Sequence, residues 1–288
     1  MTSNDIHALV SHLKAAEEPF ALATVVRTVS VTAAKAGAKA VIRADGTITG
    51  GWIGGGCARG AVVRAAREAL EDGNPRLISV QPEDVLAAEG LRPGDTRDGI
   101  RFARSMCPSR GTMDVFIEPV LPHPEFVVLG TSPVALALCD LAPRFGFEVT
   151  ACAPPGDAGT FPEGVRRIEG YALEAAPARR RFVVVSTQGR GDEAALRAAL
   201  AAEAAYTAFV GSRAKMAALR ARLAESGIET AQMERLRAPA GLDIGAITPE
   251  EIALSILAEA VACRRESQRE TPGVASAGRK DEEEAPSC

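Results

Sequence analysis

The stretch Thr49–Gly60, TGGWIGGGCARG, packs six glycines, the chain's one tryptophan and Cys57 into twelve residues. Glycine at that density costs backbone entropy, and a fold keeps it where the backbone turns tightly or approaches something closely. Gly54, Gly55 and Gly56 lead into a helix-period run, so their successive amides can form an anion-binding concavity. Cys57 then falls at or near a helix N-terminus, where the dipole lowers a thiol pKa and Arg59 adds to the effect. The residues alone leave two readings open: a reactive thiolate in a backbone cradle, or a glycine-rich hairpin end with a buried cysteine. Cys107, in SMCPSRG, is the other cysteine flanked by turn residues and a cation, Arg110. Cys139 and Cys263 sit in apolar helical patterns, where core packing accounts for them. No C-x-x-C pair occurs, and His7, His12 and His123 stand apart from every cysteine, which argues against a zinc ribbon, a thiol redox pair or a Cys–His nucleophile.

Three further segments carry chemistry. In FVVLGTSPVALALCDLA a strand ends at Gly130 and Pro133 opens a helix, the place where a Rossmann fold holds a pyrophosphate. Only the first glycine of the G-x-G-x-x-G fingerprint is present, with Ser132 and Ala135 at the other two positions, and the next strand ends at Ala153 without an acidic residue for a ribose. These departures favour a Rossmann-shaped scaffold without a tightly held dinucleotide. In VGSRAKMAALRARLAESG, Gly211, Ser212, Arg213 and Lys215 converge on one helix start, which reads as a phosphate site or as an ordinary N-cap with solvated cations. Ser186, Thr187, Gln188 and Asp192 belong at the carboxyl end of another strand, where Asp192 also suits a helix cap.

The elements that must position these residues form two blocks. Residues 1–122 read as a helix, a strand (PFALATVVRTVSV), a hairpin turning at Asp45-Gly46, the helix ARGAVVRAAREALEDG closed by Gly73, and two strands broken by the Cys107 loop. LPHPEF marks the linker. Residues 123–265 alternate short apolar strands with helical segments, the pattern of a doubly wound parallel sheet. Thr248-Pro249-Glu250-Glu251 predicts a capping box on the last helix. Residues 266–288 are polar and charged and read as a disordered tail. The expected fold class is α/β, an N-terminal α/β domain followed by a Rossmann-like domain.

With 47% hydrophobic and 24% charged residues in 288, the composition is that of a globular protein. A net charge of −4 gives no general electrostatic attraction to nucleic acid or an anionic membrane. No apolar run approaches the roughly 20 residues that span a bilayer, and the first residues do not resemble a secretory signal, so a cytoplasmic location is expected.

The pieces GTITGGWIGGGCARG, CPSRGTMDVFIEP, FVGSRAKMAALRARLAESGI and APAGLDIGAITPEEIALSILAEAVACRR resemble the xanthine dehydrogenase accessory factor family, also called XdhC/CoxI. The resemblance implies an N-terminal domain followed by a Rossmann-like one. It also implies a chaperone that binds the molybdenum cofactor (molybdopterin or its nucleotide form), assists its sulfuration and delivers it to an apo molybdenum hydroxylase of the xanthine or carbon monoxide dehydrogenase type. By position, the family's glycine-glycine-cysteine motif falls on Gly55, Gly56 and Cys57, with Gly54 before it. Its second cysteine motif falls on Cys107, here followed by Pro108 and Ser109, and its Gly-Ser-Arg-x-Lys on Gly211, Ser212, Arg213 and Lys215. The resemblance thereby implies Cys57 and Cys107 as molybdenum-facing thiols, and Gly130, from the strand–helix pattern above, completes the expected cofactor-binding set. Ala58-Arg59 replaces an acidic neighbour and VSVTAAKAG a Gly-Ser-Ser-Pro-Arg-like loop, which points to a CoxI-like branch. The implied partners are the hydroxylase large subunit and a cysteine desulfurase, with a homodimer as the implied assembly. Two alternatives stand beside this reading: an NAD(P)-dependent oxidoreductase, against which the degraded fingerprint counts, and a persulfide-carrying sulfurtransferase.

Overall fold

The computed structural model describes residues 3–106, 110–157, 161–174, 179–225 and 227–269. The Cys107 position and residues 270–288 lie outside them; residues 266–269, read from the sequence as the start of a disordered tail, instead continue the last helix, whose turns run on to Arg269. Chain contacts divide the molecule into two units, Met1–Leu121 and Pro122–Ser267.

The first unit runs α1 (Ser3–Ala15), β1 (Phe20–Val29), β2 (Lys39–Arg43), β3 (Ile48–Gly51), α2 (Gly56–Asp72), β4 (Arg76–Pro82), α3 (Glu83–Ala88), β5 (Thr96–Arg97), β6 (Ile100–Ser105) and β7 (Thr112–Val120). Its seven strands make one sheet in the order β3-β2-β1-β7-β4-β6-β5. Only β4 and β6 pair in parallel; the other neighbours are antiparallel. The two sheet faces follow from strand alternation. Ala21, Ala23, Val25, Ile78, Val80, Val115 and Ile117 meet the apolar stripe of α2, Val62, Ala65, Ala66 and Ala69. Phe20 and Val41 face the other way and bury Ile6 and Leu13 of α1. The turn between β2 and β3 is tied by Asp45, whose carboxylate accepts the Thr47 amide at 2.8 Å. Gly73 ends α2 in the left-handed region and donates its N–H to Ala69.

The second unit runs β8 (Glu125–Leu129), α4 (Pro133–Leu141) with a 3₁₀ turn at Ala142–Phe145, β9 (Glu148–Ala153), β10 (Arg166–Glu169), β11 (Arg181–Val185), α5 (Asp192–Ala201), β12 (Tyr206–Phe209), α6 (Arg213–Glu225), α7 (Thr230–Glu234), β13 (Leu236–Arg237) and α8 (Pro249–Arg269). Its sheet is parallel throughout, in the order β10-β9-β8-β11-β12-β13. Numbered along the chain that order is 3-2-1-4-5-6, which defines a Rossmann-type doubly wound sheet. Helices cover both faces. Phe126, Val128, Phe182 and Val184 pack with α4 and α8, while Val127, Leu129, Val183 and Val185 pack with α5 and α6. This two-sided burial is why FVVL and RFVVV read as unbroken apolar runs. Thr248 and Glu251 form the capping box on α8: Oγ1 of Thr248 accepts the Glu251 amide at 3.3 Å, and Oε2 of Glu251 accepts the Thr248 amide at 2.9 Å. Among the described residues no helix is long and apolar enough to cross a membrane.

Candidate functional site

The glycine segment connects β3 to α2. Ile53 is buried and anchors it. Gly54 has φ +110°, a conformation that L side chains rarely adopt. Gly55 is the N-cap of α2 and Gly56 its first residue, and a Cβ added to either would meet nothing within 4 Å. Packing within the chain therefore does not demand glycine at these two positions. What the bare backbone leaves is a cavity of about 110 Å³, bordered by Gly54, Gly55, Gly56, Ala58, Thr32 and Ser105. Gly55 supplies no capping side chain, and the first amide to bond back is that of Arg59, to Gly55 O at 3.1 Å. The amides of Gly56, Cys57 and Ala58 precede it and have no intrahelical acceptor. They lie at the positive end of the helix dipole, so the helix start favours an anionic group.

Cys57 is the second residue of α2, and Arg59 is exposed. Cys107 lies outside the described residues, but the chain on both sides of it is defined. Ser105, ending β6, and Gly111, preceding β7, border the same cavity as Gly54–Gly56. The fold thus brings Gly54–Gly56 and the residues on either side of the Cys107 loop to one cavity although they are about fifty positions apart in sequence. Thr32 and Ser105 belong to this wall and went unnoticed in the sequence, because an isolated hydroxyl in a loop or at a strand end carries no spacing signal. Among the described residues there is no cluster of three or more His, Cys, Asp or Glu side chains fit to hold a metal ion.

The Rossmann crevice of the second unit is built differently. Gly130 directly follows β8 with φ +120°, and a Cβ there would lie 2.4 Å from Ser186 O. This glycine lets the β8 and β11 ends approach. Ser132, at the second fingerprint position, is buried and caps α4, accepting the Ala135 amide at 3.1 Å. Its hydroxyl also lies 2.6 Å from that of Ser186. A protein hydroxyl thus occupies the helix start where a dinucleotide phosphate would be held. β9 ends at the apolar Ala153, the position at which a dinucleotide-binding sheet carries its acidic ribose partner.

Gly211, Ser212, Arg213 and Lys215 do gather at the start of α6. Oγ of Ser212 accepts the Lys215 amide at 3.2 Å, the ordinary N-cap bond. Lys215 does not stand free: its Nζ lies 2.6 Å from Oδ2 of Asp192 and 5.5 Å from the Phe209 ring centroid. Asp192 is the first residue of α5, whose N-cap is Gly191. It accepts the Gly189 amide at 3.0 Å and the Thr187 hydroxyl. Burial alone would raise its pKa, but the bonds from Lys215, Thr187 and Gly189 outweigh that and hold it below the ordinary carboxylate value. Gln188, in the loop between β11 and α5, carries φ +51°. The sequence placed Ser186, Thr187, Gln188 and Asp192 at this strand end, but the partnership of Asp192 with Lys215 joins two segments whose sequence separation hides it.

A Rossmann-type sheet preceded by an α/β unit with a glycine-rich, cysteine-bearing helix start bordered by open recesses defines a two-unit α/β protein. The family model described as the XdhC Rossmann domain matches residues 126–260, and that of the XdhC and CoxI family matches residues 13–81. The chain belongs to the XdhC and CoxI family. It is 31% identical over 249 residues to the uncharacterized protein YqeB of Escherichia coli (strain K12), covering 84% of this chain and 43% of that protein. The chain thus spans less than half the length of this relative. A crystal structure described as a xanthine dehydrogenase from Bacillus halodurans aligns with 92% of this chain and 97% of its own, at 19% identity and a TM-score of 0.44.

Proposed function

We propose that the chain is a maturation chaperone that holds a molybdenum–pterin cofactor at the Gly54–Cys57 helix start and hands it to an apo molybdenum hydroxylase. One observation carries the reading: the open backbone at Gly55 and Gly56 and both flanks of the Cys107 loop border a single cavity. The residues present fit such a group. Three amides without intrahelical acceptors suit its anionic part, and cysteine sulfur at positions 57 and 107 is the donor type that suits a soft metal. The cofactor supplies a thiophilic redox metal for the client enzyme, while the chain binds, orients and shields it. Sulfur for the cofactor comes, in this reading, from a cysteine desulfurase.

The test is to purify the full chain from cells that make the cofactor and to measure molybdenum and pterin per protein. The wild type is expected to carry both and Cys57→Ala to lose most of its load. A wild type devoid of pterin would sink the proposal. So would a Cys57→Ala protein that keeps its load and still matures the hydroxylase.

The nicotinamide oxidoreductase reading has the strand order 3-2-1-4-5-6 in its favour. Ser132 counts against it, because that side chain takes the Ala135 amide itself. Titration with NADH would decide the point: a binding-dependent fluorescence change that Ser132→Gly strengthens would favour the oxidoreductase.

A further inference from the structure

Beside the small cavity lies a larger one, of about 410 Å³, against the same helix. Gly56 borders both, so the two recesses meet at the first turn of α2. Along α2 the wall is made by Gly56, Gly60 and Arg64, spaced four apart and therefore on one side of the helix. A Cβ on Gly60 would meet nothing within 4 Å, so this stripe too is open. The facing wall comes from β6, with Arg101 and Arg104. No carboxylate lines the recess. Glu68 pairs with Arg101 and Glu83 with Arg104 at 3.1 Å, each engaging part of a five-donor guanidinium fork. Arg64 is exposed and makes no ion pair among the described residues.

From this placement we infer a second, anion-accepting subsite in the first unit, which takes a phosphate- or pyrophosphate-bearing extension of the ligand anchored at Gly56. The inference rests on the cofactor reading above and specifies the ligand: an elongated one with a phosphoryl group remote from its metal end. Guanidinium forks match phosphoryl oxygens two at a time, which is why three arginines around an open recess select that chemistry. The phosphate-binding role thereby falls to Arg64, Arg101 and Arg104 rather than to the α6 start, where Lys215 is held by Asp192.

The experiment uses the full chain and probes that contain neither pterin nor molybdenum: ADP, pyrophosphate and inorganic phosphate, titrated by calorimetry. ADP and pyrophosphate are expected to bind more tightly than inorganic phosphate. Arg64→Gln and Arg104→Gln are each expected to weaken both by about tenfold. Both side chains are substantially exposed, so the melting temperature should stay put, and thermal melts confirm that each variant is folded. Equal binding of all three probes would overturn the inference, as would undiminished ADP binding by the double variant. Loss of binding in Arg213→Gln instead would assign the phosphate to the α6 start and overturn it as well. Failure here leaves the Cys57→Ala loading result intact, and failure there leaves this titration intact, so the two readings fall separately.

Discussion

Lys215, in the first turn of α6, reaches across to Asp192, the first residue of α5, with 2.6 Å between Nζ and Oδ2. The pair ties the starts of two helices that cover one face of the parallel sheet. It also explains how a cation can sit at a helix N-terminus, where the dipole alone disfavours it.

The pair makes a pH-dependent contribution to stability. Asp192 titrates below its ordinary value of 3.8 in the folded chain. A carboxylate depressed in this way adds stability above its unfolded pKa and loses it as pH falls through the folded one. With Lys215 more than a third exposed, Lys215→Met should cost about 1–2 kcal/mol near neutral pH. The gap between wild type and variant should shrink in urea unfolding as pH drops below 3.8. A gap that stays constant into acid would show that the ion pair is not its source.

Tyr206 offers a second test. Its hydroxyl donates to Glu259 Oε2 at 2.6 Å, and the same oxygen accepts the Gly241 amide at 2.9 Å. Glu259 so fixes the loop that leads into α8. Tyr206→Phe should cost about 1–2 kcal/mol in urea unfolding. Burial, then the bond to Glu259, raises the tyrosine pKa above its ordinary 10.0. A phenol raised in the folded state contributes stability below the unfolded value and loses it as pH climbs past that value. Wild type should therefore weaken in alkali more than Tyr206→Phe; parallel alkaline curves would dismiss the linkage.

Much of this architecture was legible in the residues. FVVL and RFVVV announce doubly covered strands, and Thr248 with Glu251 announces the α8 cap, because these signals are local. β4 was not legible: Ile78 and Val80 face α2 while Ser79 and Gln81 face away, and Pro82 closes the strand, so its apolar content looks too thin. The glycine–cysteine helix start could be read from composition, but its cavity could not. That recess depends on Thr32, Ser105 and Gly111 arriving from distant segments, which only the sheet order decides.

The buried thiols should be inert. Cys139 in α4 is pushed up to about 12 by burial and then by neighbouring Cys152. Cys152 in β9 is also pushed up to about 12, by burial and then by Glu125. Thiolate is the reacting form, so neither should alkylate in the folded chain under mildly alkaline conditions. Peptide mapping after iodoacetamide treatment should find both unmodified until urea unfolds the protein. Labelling of either at its unfolded rate would contradict the packing described.

The glycines separate packing from binding. Gly130 carries φ +120°, and a Cβ would strike Ser186 O at 2.4 Å, so Gly130→Ala should cost about 2–4 kcal/mol. Gly56 is helical and open, so Gly56→Ala should leave stability unchanged or raise it by about 0.5 kcal/mol. The added methyl nonetheless projects at the junction of the two recesses, so Gly56→Ala should carry less cofactor than wild type while melting no lower. The two readouts must part company: a Gly56→Ala chain that keeps its full load would mean that the ligand does not approach this backbone, and the helix start would lose its claim to the site.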